Sequence, residues 1–371
     1  MVYKEIKDMW KEYSKWFLGR KLEDFLRDKA WNYKDDICIL ASYYLYKVTG
    51  DEDYRKYILD SAKYLLKDDG TIINWSEDNI DKISFGKSLY ALYDLTKDEK
   101  YREAYLKVYG NFSTYPRTCT GNFWHKNIYP NQVWLDGLYM GQPFYAAVSE
   151  EIGEDKTADI IGQFVKAEEM LYNPSLDLYM HAVDCSKEAE WADKTTGQSP
   201  AVWLRAEGWY LMALCDVYEI LRDRTPEAEK LIPLLRKAIS GIMKYQVPET
   251  KMFLQVVDRA DLEGNYSETS GSAMVAYALM KGARLGMLDA GDALRGKEVL
   301  DGIRDTYLKK EGDEIHLYGI CASAGLGPGP DNRTDRTGLP DYYLSEKQMT
   351  DNQHGAAASL MAWSEYLRVT E

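Results

Sequence analysis

Apolar residues recur at helical spacing along most of the chain, as in WLRAEGWYLMALCDVYEIL (203–221) and SAMVAYALM (272–280), and polar residues fill the segments between. This pattern predicts helices that come in pairs. LYKVTGDEDYRKY from Leu45 and LYDLTKDEKYREA from Leu92 align residue for residue, so the same helical hairpin is written twice. In each copy an apolar helix ends near Thr49 or Thr96. An acidic pair, Asp51-Glu52 or Asp98-Glu99, then opens the next helix, where the helix dipole favours negative charge. The same rhythm predicts pairs at 132–150 with 155–171, 200–222 with 226–245, and 268–285 with 290–309.

That makes five hairpins, and helices near 3–16 and 352–369 remain to pair as a sixth. The expected fold is all-α: an (α/α)6 barrel, or six-hairpin toroid, with parallel inner helices and returning outer ones, in a single domain over residues 1–371. An open solenoid would need polar capping repeats, and none can be identified. FLQVVDR (253–259) reads as a short strand-like piece in a loop, and GLGPGPDNRTDRTGLPD (325–341) as a Gly- and Pro-rich loop.

Parallel inner helices bring their first turns to one rim, which gathers chemistry scattered along the chain. Asp136 lies near the first turn of one such helix, beside Trp134 and on a stretch made apolar by Leu138, Tyr139 and Phe144. Aromatic surroundings disfavour a charged carboxyl and would keep it protonated as a proton donor; the alternative is a carboxylate that merely complements the helix dipole. Asp81 opens the helix expected at 79–95, and Trp203, Arg205 and Trp209 fall in the first turns of another. ETSGS (268–272) and His354 open later ones, and the loops supply His125, Lys126 and His181.

Two carboxylates, histidines, an arginine and tryptophans around one funnel fit a sugar acid. Each also has a structural reading: the aspartates as helix caps, one of Trp203 and Trp209 as core packing, the histidines as satisfied loop residues. Arg205 requires a carboxylate partner, in the protein or on a ligand, and Glu207 does not face it along the helix. No His-x-x-x-His or Glu-x-x-His spacing points to a metal, and no cofactor is expected.

Composition narrows the partners. A formal charge of −14 argues against nucleic acid or an anionic membrane. The 30 Tyr and 10 Trp against 8 Phe favour wet, concave surfaces of the kind that hold carbohydrate. Five separated cysteines form neither a zinc motif nor a disulfide framework, and neither a secretory leader nor a membrane-length apolar run is present. A cytoplasmic location is expected, and no oligomeric state is read from the chain.

The stretches FWHKNIYPNQVWLDGLYMGQPF, WLRAEGWYLMALCDVYEIL, YSETSGSAMVAYALMKG and DYYLSEKQMTDNQHGAAASLMAW, with NIDKISFGKSLYALYD (79–94), resemble the successive signatures of glycoside hydrolase family 105, the unsaturated rhamnogalacturonyl hydrolases. The resemblance implies the same barrel, Asp136 as proton donor and Asp81 as a second active-site carboxylate. It places His125, Trp134, His181, Trp203, Arg205 and Trp209 around an unsaturated uronic acid. It departs at Glu207, where a small or uncharged residue is expected. The implied reaction is hydration of the vinyl ether of a 4,5-unsaturated uronic acid at the non-reducing end of a small oligosaccharide, most favourably unsaturated galacturonyl-rhamnose. An unsaturated glucuronyl hydrolase, a sugar epimerase with paired histidines and a non-catalytic glycan-binding scaffold are the alternatives.

Overall fold

The computed structural model describes residues 2–20, 31–329 and 331–370, with side chains from residue 9 onward. In chain order the helices are α1 (Val2–Gly19), α2 (Tyr33–Thr49), α3 (Glu52–Leu65), α4 (Ile80–Ile83), α5 (Phe85–Thr96), α6 (Glu99–Gly110) and α7 (Leu135–Ile152). They continue as α8 (Thr157–Leu171), α9 (Leu204–Leu221), α10 (Leu231–Ile242), α11 (Thr269–Arg284), α12 (Ala290–Tyr307), α13 (Pro340–Ser345) and α14 (Gln353–Arg368). Six inner helices form a closed ring in the order α2, α5, α7, α9, α11, α14, with α14 packed on α2, and α1 lies against α3 and α14. The (α/α)6 barrel expected from the sequence is the observed fold, and its sixth hairpin joins the two ends of the chain.

Burial separates the two layers. α11 is buried without interruption from Thr269 to Gly282, whereas α12 buries only Gly296, Val299, Leu300, Gly302 and Ile303. A helix hydrophobic all round belongs inside, and one with a narrow apolar stripe belongs outside. The inner ring is tight: a Cβ on Gly86 of α5 would enter the Phe144 ring of α7. Pro143 of α7 lacks the N–H that would meet the carbonyl of Tyr139. The Nζ of Lys87 donates to that oxygen instead at 2.9 Å and lies 3.8 Å from the centre of the Tyr139 ring.

The helix expected at 79–95 is interrupted at Ser84. The hydroxyls of Ser84 and Ser88 donate to the buried carboxyl of Asp36 on α2, each at 2.7 Å, and Trp31 Nε1 does so at 3.0 Å. Residues 132–134 also differ from expectation, forming a strand before α7. Strands β1 (Gln132–Trp134), β2 (Tyr172–Asn173), β3 (Leu178–Tyr179) and β4 (Ala182–Asp184) make two antiparallel pairs, β1 with β4 and β2 with β3. The 253–259 piece makes single-residue bridges to Trp203 and Ser267. No helix among the described residues is long and apolar enough to cross a membrane.

The repeated hairpin has the same turn in both copies. Thr49 and Thr96 hydroxyls donate to the carbonyls of Leu45 and Leu92 at 2.7 Å, and the N–H groups of Asp51 and Asp98 donate to those threonine oxygens at 3.2 Å. The residue between is left-handed in each, Gly50 at φ 65 and Lys97 at φ 57. A side chain in that conformation costs about 1 kcal/mol. Lys97→Gly is therefore expected to stabilise the protein by about that amount, read as a higher midpoint in urea unfolding, while Gly50→Lys should lower it.

Candidate active site

The site is assembled by one strand pair. β1 and β4 run antiparallel with Trp134 opposite Ala182, and the N–H of Leu135 donates to the carbonyl of His181 at 3.2 Å. The first turn of α7 therefore starts against His181. Nε2 of His181 lies 3.3 Å from Oδ2 of Asp136, a close polar contact, and neither atom has a hydrogen-bond partner by alignment among the described residues. The other ring nitrogen of His181, Nδ1, is 2.8 Å from the Tyr343 hydroxyl. Orphaned polar atoms in a buried place are costly, and one of this pair belongs to Asp136, which lines the pocket described below.

Burial pushes the Asp136 carboxyl up, but His181, His125 and a backbone hydrogen bond together outweigh it and leave the group below its usual value. This reverses the expectation that the aromatic surroundings alone would keep Asp136 protonated. Burial is still the largest single influence, but the contributions that favour the carboxylate together exceed it.

Asp81 occupies the turn α4, where Asn79 accepts from its N–H at 2.9 Å. The same turn is tied to the loop carrying His125 and Lys126: the Ile80 N–H donates to the His125 carbonyl at 3.2 Å, and Asn79 bridges to Lys126. Lys126 Nζ thus lies 2.8 Å from one Asp81 oxygen, and His125 Nε2 lies 3.9 Å from the other. Burial opposes the charge of Lys126, but Asp81 outweighs it and holds the amine above its usual range. Burial pushes His125 down to about 4, so it is neutral near pH 7, and its ring stacks on Trp134 at 4.3 Å and 8°. Trp134 continues the stack onto Tyr129 at 5.1 Å.

These groups open on a pocket of about 280 Å³, lined among others by Tyr33, Asp81, Lys126, Trp134, Asp136 and Arg336. Of the residues expected from the sequence, Asp136, Asp81, His125, Lys126 and Trp134 line it. His181 stands behind Asp136, and Trp203 packs behind His181 at 4.8 Å. Trp209 stacks on Tyr139 at 4.7 Å inside the barrel and is core packing.

Arg205 is 1% exposed, with its guanidinium 4.6 Å from the Trp203 ring. Its Nη1 donates to the Cys321 carbonyl at 2.7 Å and to Ser270 Oγ at 3.0 Å; Ser270 donates on to Glu268. The required carboxylate is thus reached inside the protein, through a serine. Tyr33, Tyr129, Met140 and Arg336 also line the pocket and escaped the sequence reading. Tyr33 and Met140 were within reach of the rule that early inner-helix residues gather at the rim, whereas Arg336 carried no periodic signal.

A larger cavity of about 490 Å³ opens between the C-terminal halves of the inner helices. At its centre Lys281 lies 2.7 Å from both Asp216 and Glu219.

The match of the whole chain to a family model makes this six-hairpin barrel, with its pocket at one rim, a glycoside hydrolase. The chain belongs to Glycosyl Hydrolase Family 88, whose family model matches residues 5–370. It is 37% identical to the structure described as C. acetobutylicum ATCC 824 Glycoside Hydrolase From Family 105, with a TM-score of 0.90 over 96% of this chain and 99% of that one. The family 105 resemblance drawn from the sequence therefore holds. Protein Atu3128 of Agrobacterium fabrum (strain C58 / ATCC 33970) is 38% identical over 234 residues, 62% of this chain and 98% of that protein. The Unsaturated rhamnogalacturonyl hydrolase YesR of Bacillus subtilis (strain 168) is 25% identical over 273 residues, 70% of this chain and 73% of that protein.

Glu207, the departure noted in the sequence, turns away from the pocket. Its Oε1 accepts from the backbone N–H of Tyr179 in β3, and burial pushes its carboxyl up to about 8. At neutral pH it is an uncharged polar side chain in effect. A carboxyl raised in the folded state binds its proton more tightly there than in the unfolded chain, so it costs stability as pH climbs from the usual glutamate range through about 8. Glu207→Gln should remove that part of the pH dependence. Its thermal midpoint should exceed that of the wild type above pH about 8 and match it in acid.

Proposed function

We propose that the protein hydrolyses small oligosaccharides bearing a 4,5-unsaturated uronic acid at the non-reducing end, with unsaturated galacturonyl-rhamnose as the favoured substrate. One observation carries the reading: the two carboxylates set on the inner-helix rim of the pocket, Asp81 and Asp136, are unlike. Asp81 is held as an ion pair by Lys126, whereas Asp136 meets only an imidazole and has an oxygen without a hydrogen bond. A conventional glycosidase needs two carboxyl groups, a proton donor to the leaving oxygen and a base or nucleophile. Hydration of a vinyl ether needs one group that gives a proton and then takes one back.

Asp136 fills that role. Its carboxyl lies below its usual value beside His181, and the carboxylate of an arriving uronic acid, as a like charge, raises it again and favours the proton on Asp136. Asp136 then protonates carbon 4, and the cation at carbon 5 is stabilised by the negative charge of Asp81 and captured by water that Asp136 deprotonates. The resulting hemiketal opens and expels the neighbouring sugar. We place this chemistry in the cytoplasm, in keeping with five cysteines that are all free.

Loss of the enol-ether ultraviolet absorbance, followed with disaccharides made by rhamnogalacturonan, pectate and glycosaminoglycan lyases, tests the activity and ranks the substrates. Asp136→Asn should cut turnover by a factor of about 10²–10⁴ while substrate binding and fold persist. Reaction in deuterium oxide should leave one deuterium at carbon 4, and heavy-oxygen water should label carbon 5. Label at the anomeric carbon, or comparable turnover of the saturated disaccharide, would show a conventional glycosidase instead.

A further inference from the structure

The Gly- and Pro-rich loop at 325–341 carries Arg336 to the mouth of the pocket, and two glycines make room for it. A Cβ on Gly325 would meet Arg336 Nε at 3.7 Å and the edge of Trp134 at the same distance. A Cβ on Gly329, whose φ is +59, would collide with Arg336 Nη1 and approach the Tyr129 hydroxyl at 2.8 Å. The arginine is thereby laid against the outer end of the Trp134–Tyr129 stack. Asp331 fixes it by a two-pronged contact, Nη1 to Oδ1 at 2.8 Å and Nη2 to Oδ2 at 2.6 Å. One donor is left over: the Nε–H of Arg336 is buried and has no partner among the described residues.

Resting on the hydrolase reading above, the geometry points to a second subsite in which Arg336 and Asp331 receive the leaving sugar and select a neutral one. A hydroxyl of that sugar accepts from Nε–H, and a neighbouring hydroxyl donates to Asp331, which is about half exposed (48%). Charge sets the selection. Asp81, Asp136 and Asp331 line the pocket with Lys126 and Arg336, and each of the two cations is already bound to a carboxylate. An unsaturated uronic acid adds a negative charge of its own. A sulfate or second carboxylate on the leaving sugar would find no uncommitted cation among the described residues lining the pocket, and its lost hydration would go uncompensated.

Three substrates separate the possibilities: unsaturated galacturonyl-rhamnose, the methyl glycoside of the same unsaturated acid, and an unsaturated uronide carried on a sulfated sugar. The wild type should show higher kcat/KM on the first than on the second and reject the third. Arg336→Gln and Asp331→Asn should each shrink the advantage of the disaccharide over the methyl glycoside roughly tenfold, about the worth of one hydrogen bond to a charged group. Turnover of the methyl glycoside should fall less than that of the disaccharide, so that the ratio between the two substrates is the quantity read. Equal losses on both substrates would make the pair a loop brace and overturn the subsite alone. Efficient turnover of the sulfated substrate by the wild type would overturn the selection, and no turnover of any substrate would overturn the hydration reading together with the subsite.

Discussion

Three residues of antiparallel pairing, Gln132–Trp134 against Ala182–Asp184, set the geometry on which the pocket depends. The pairing delivers the first turn of α7 to His181 and so turns two residues distant in sequence into a 3.3 Å contact. It also fixes Trp134 between the face of His125 and the edge of His181, at 4.3 and 5.1 Å between ring centres. Main-chain pairing is stiffer than any side-chain contact available there, so the carboxyl of Asp136 is placed before a ligand arrives. Preorganisation of this kind lets binding energy go into the reaction instead of into ordering the site.

The barrel imposes a second constraint, because inner helices are buried on every side and any polar group on them must be satisfied by another. Along the axis it is met at several places. Asp36 receives three donors, Lys87 takes the carbonyl that Pro143 leaves free, and Lys281 sits between Asp216 and Glu219. At the mouth it is not met: Asp136 Oδ2, His181 Nε2 and Arg336 Nε have no hydrogen-bond partner among the described residues. The two cavities thus differ in saturation: no residue lining the larger one has an orphaned buried polar atom among those described. Local rules are broken where function needs them broken, and the unsatisfied end identifies the working one better than volume does.

Much of this was legible in the residues. The duplicated turn at Thr49 and Thr96 was readable because a cap, an acidic pair and an apolar helix end are local features, and its hydrogen bonds agree between copies to within 0.1 Å. Asp81, Asp136, His125, Lys126 and Trp134 were readable as neighbours because parallel inner helices must share a rim. Trp209 was not assignable, since its position on α9 allows it to face the mouth or Tyr139, and only the neighbouring helix decides. Arg336 was invisible for a different reason: a loop without periodicity carries no record of where it returns.

The chain alone determined that helices pair, that six hairpins close and which residue types stand at the first turns of the inner ring. These follow from periodicity and capping, which act over a few residues. Only the tertiary structure decided which way the Asp136 carboxyl shifts, because a pKa answers to charges across space, and the contact with His181, just before β4, is made by strand pairing that no periodicity records. The same holds for Arg205, whose partners Ser270 and Cys321 come from segments far along the chain, and for Glu207, tied to the backbone of Tyr179. Burial and through-space contact are properties of the closed ring, so the charge state of its polar groups is settled only when the ring is closed.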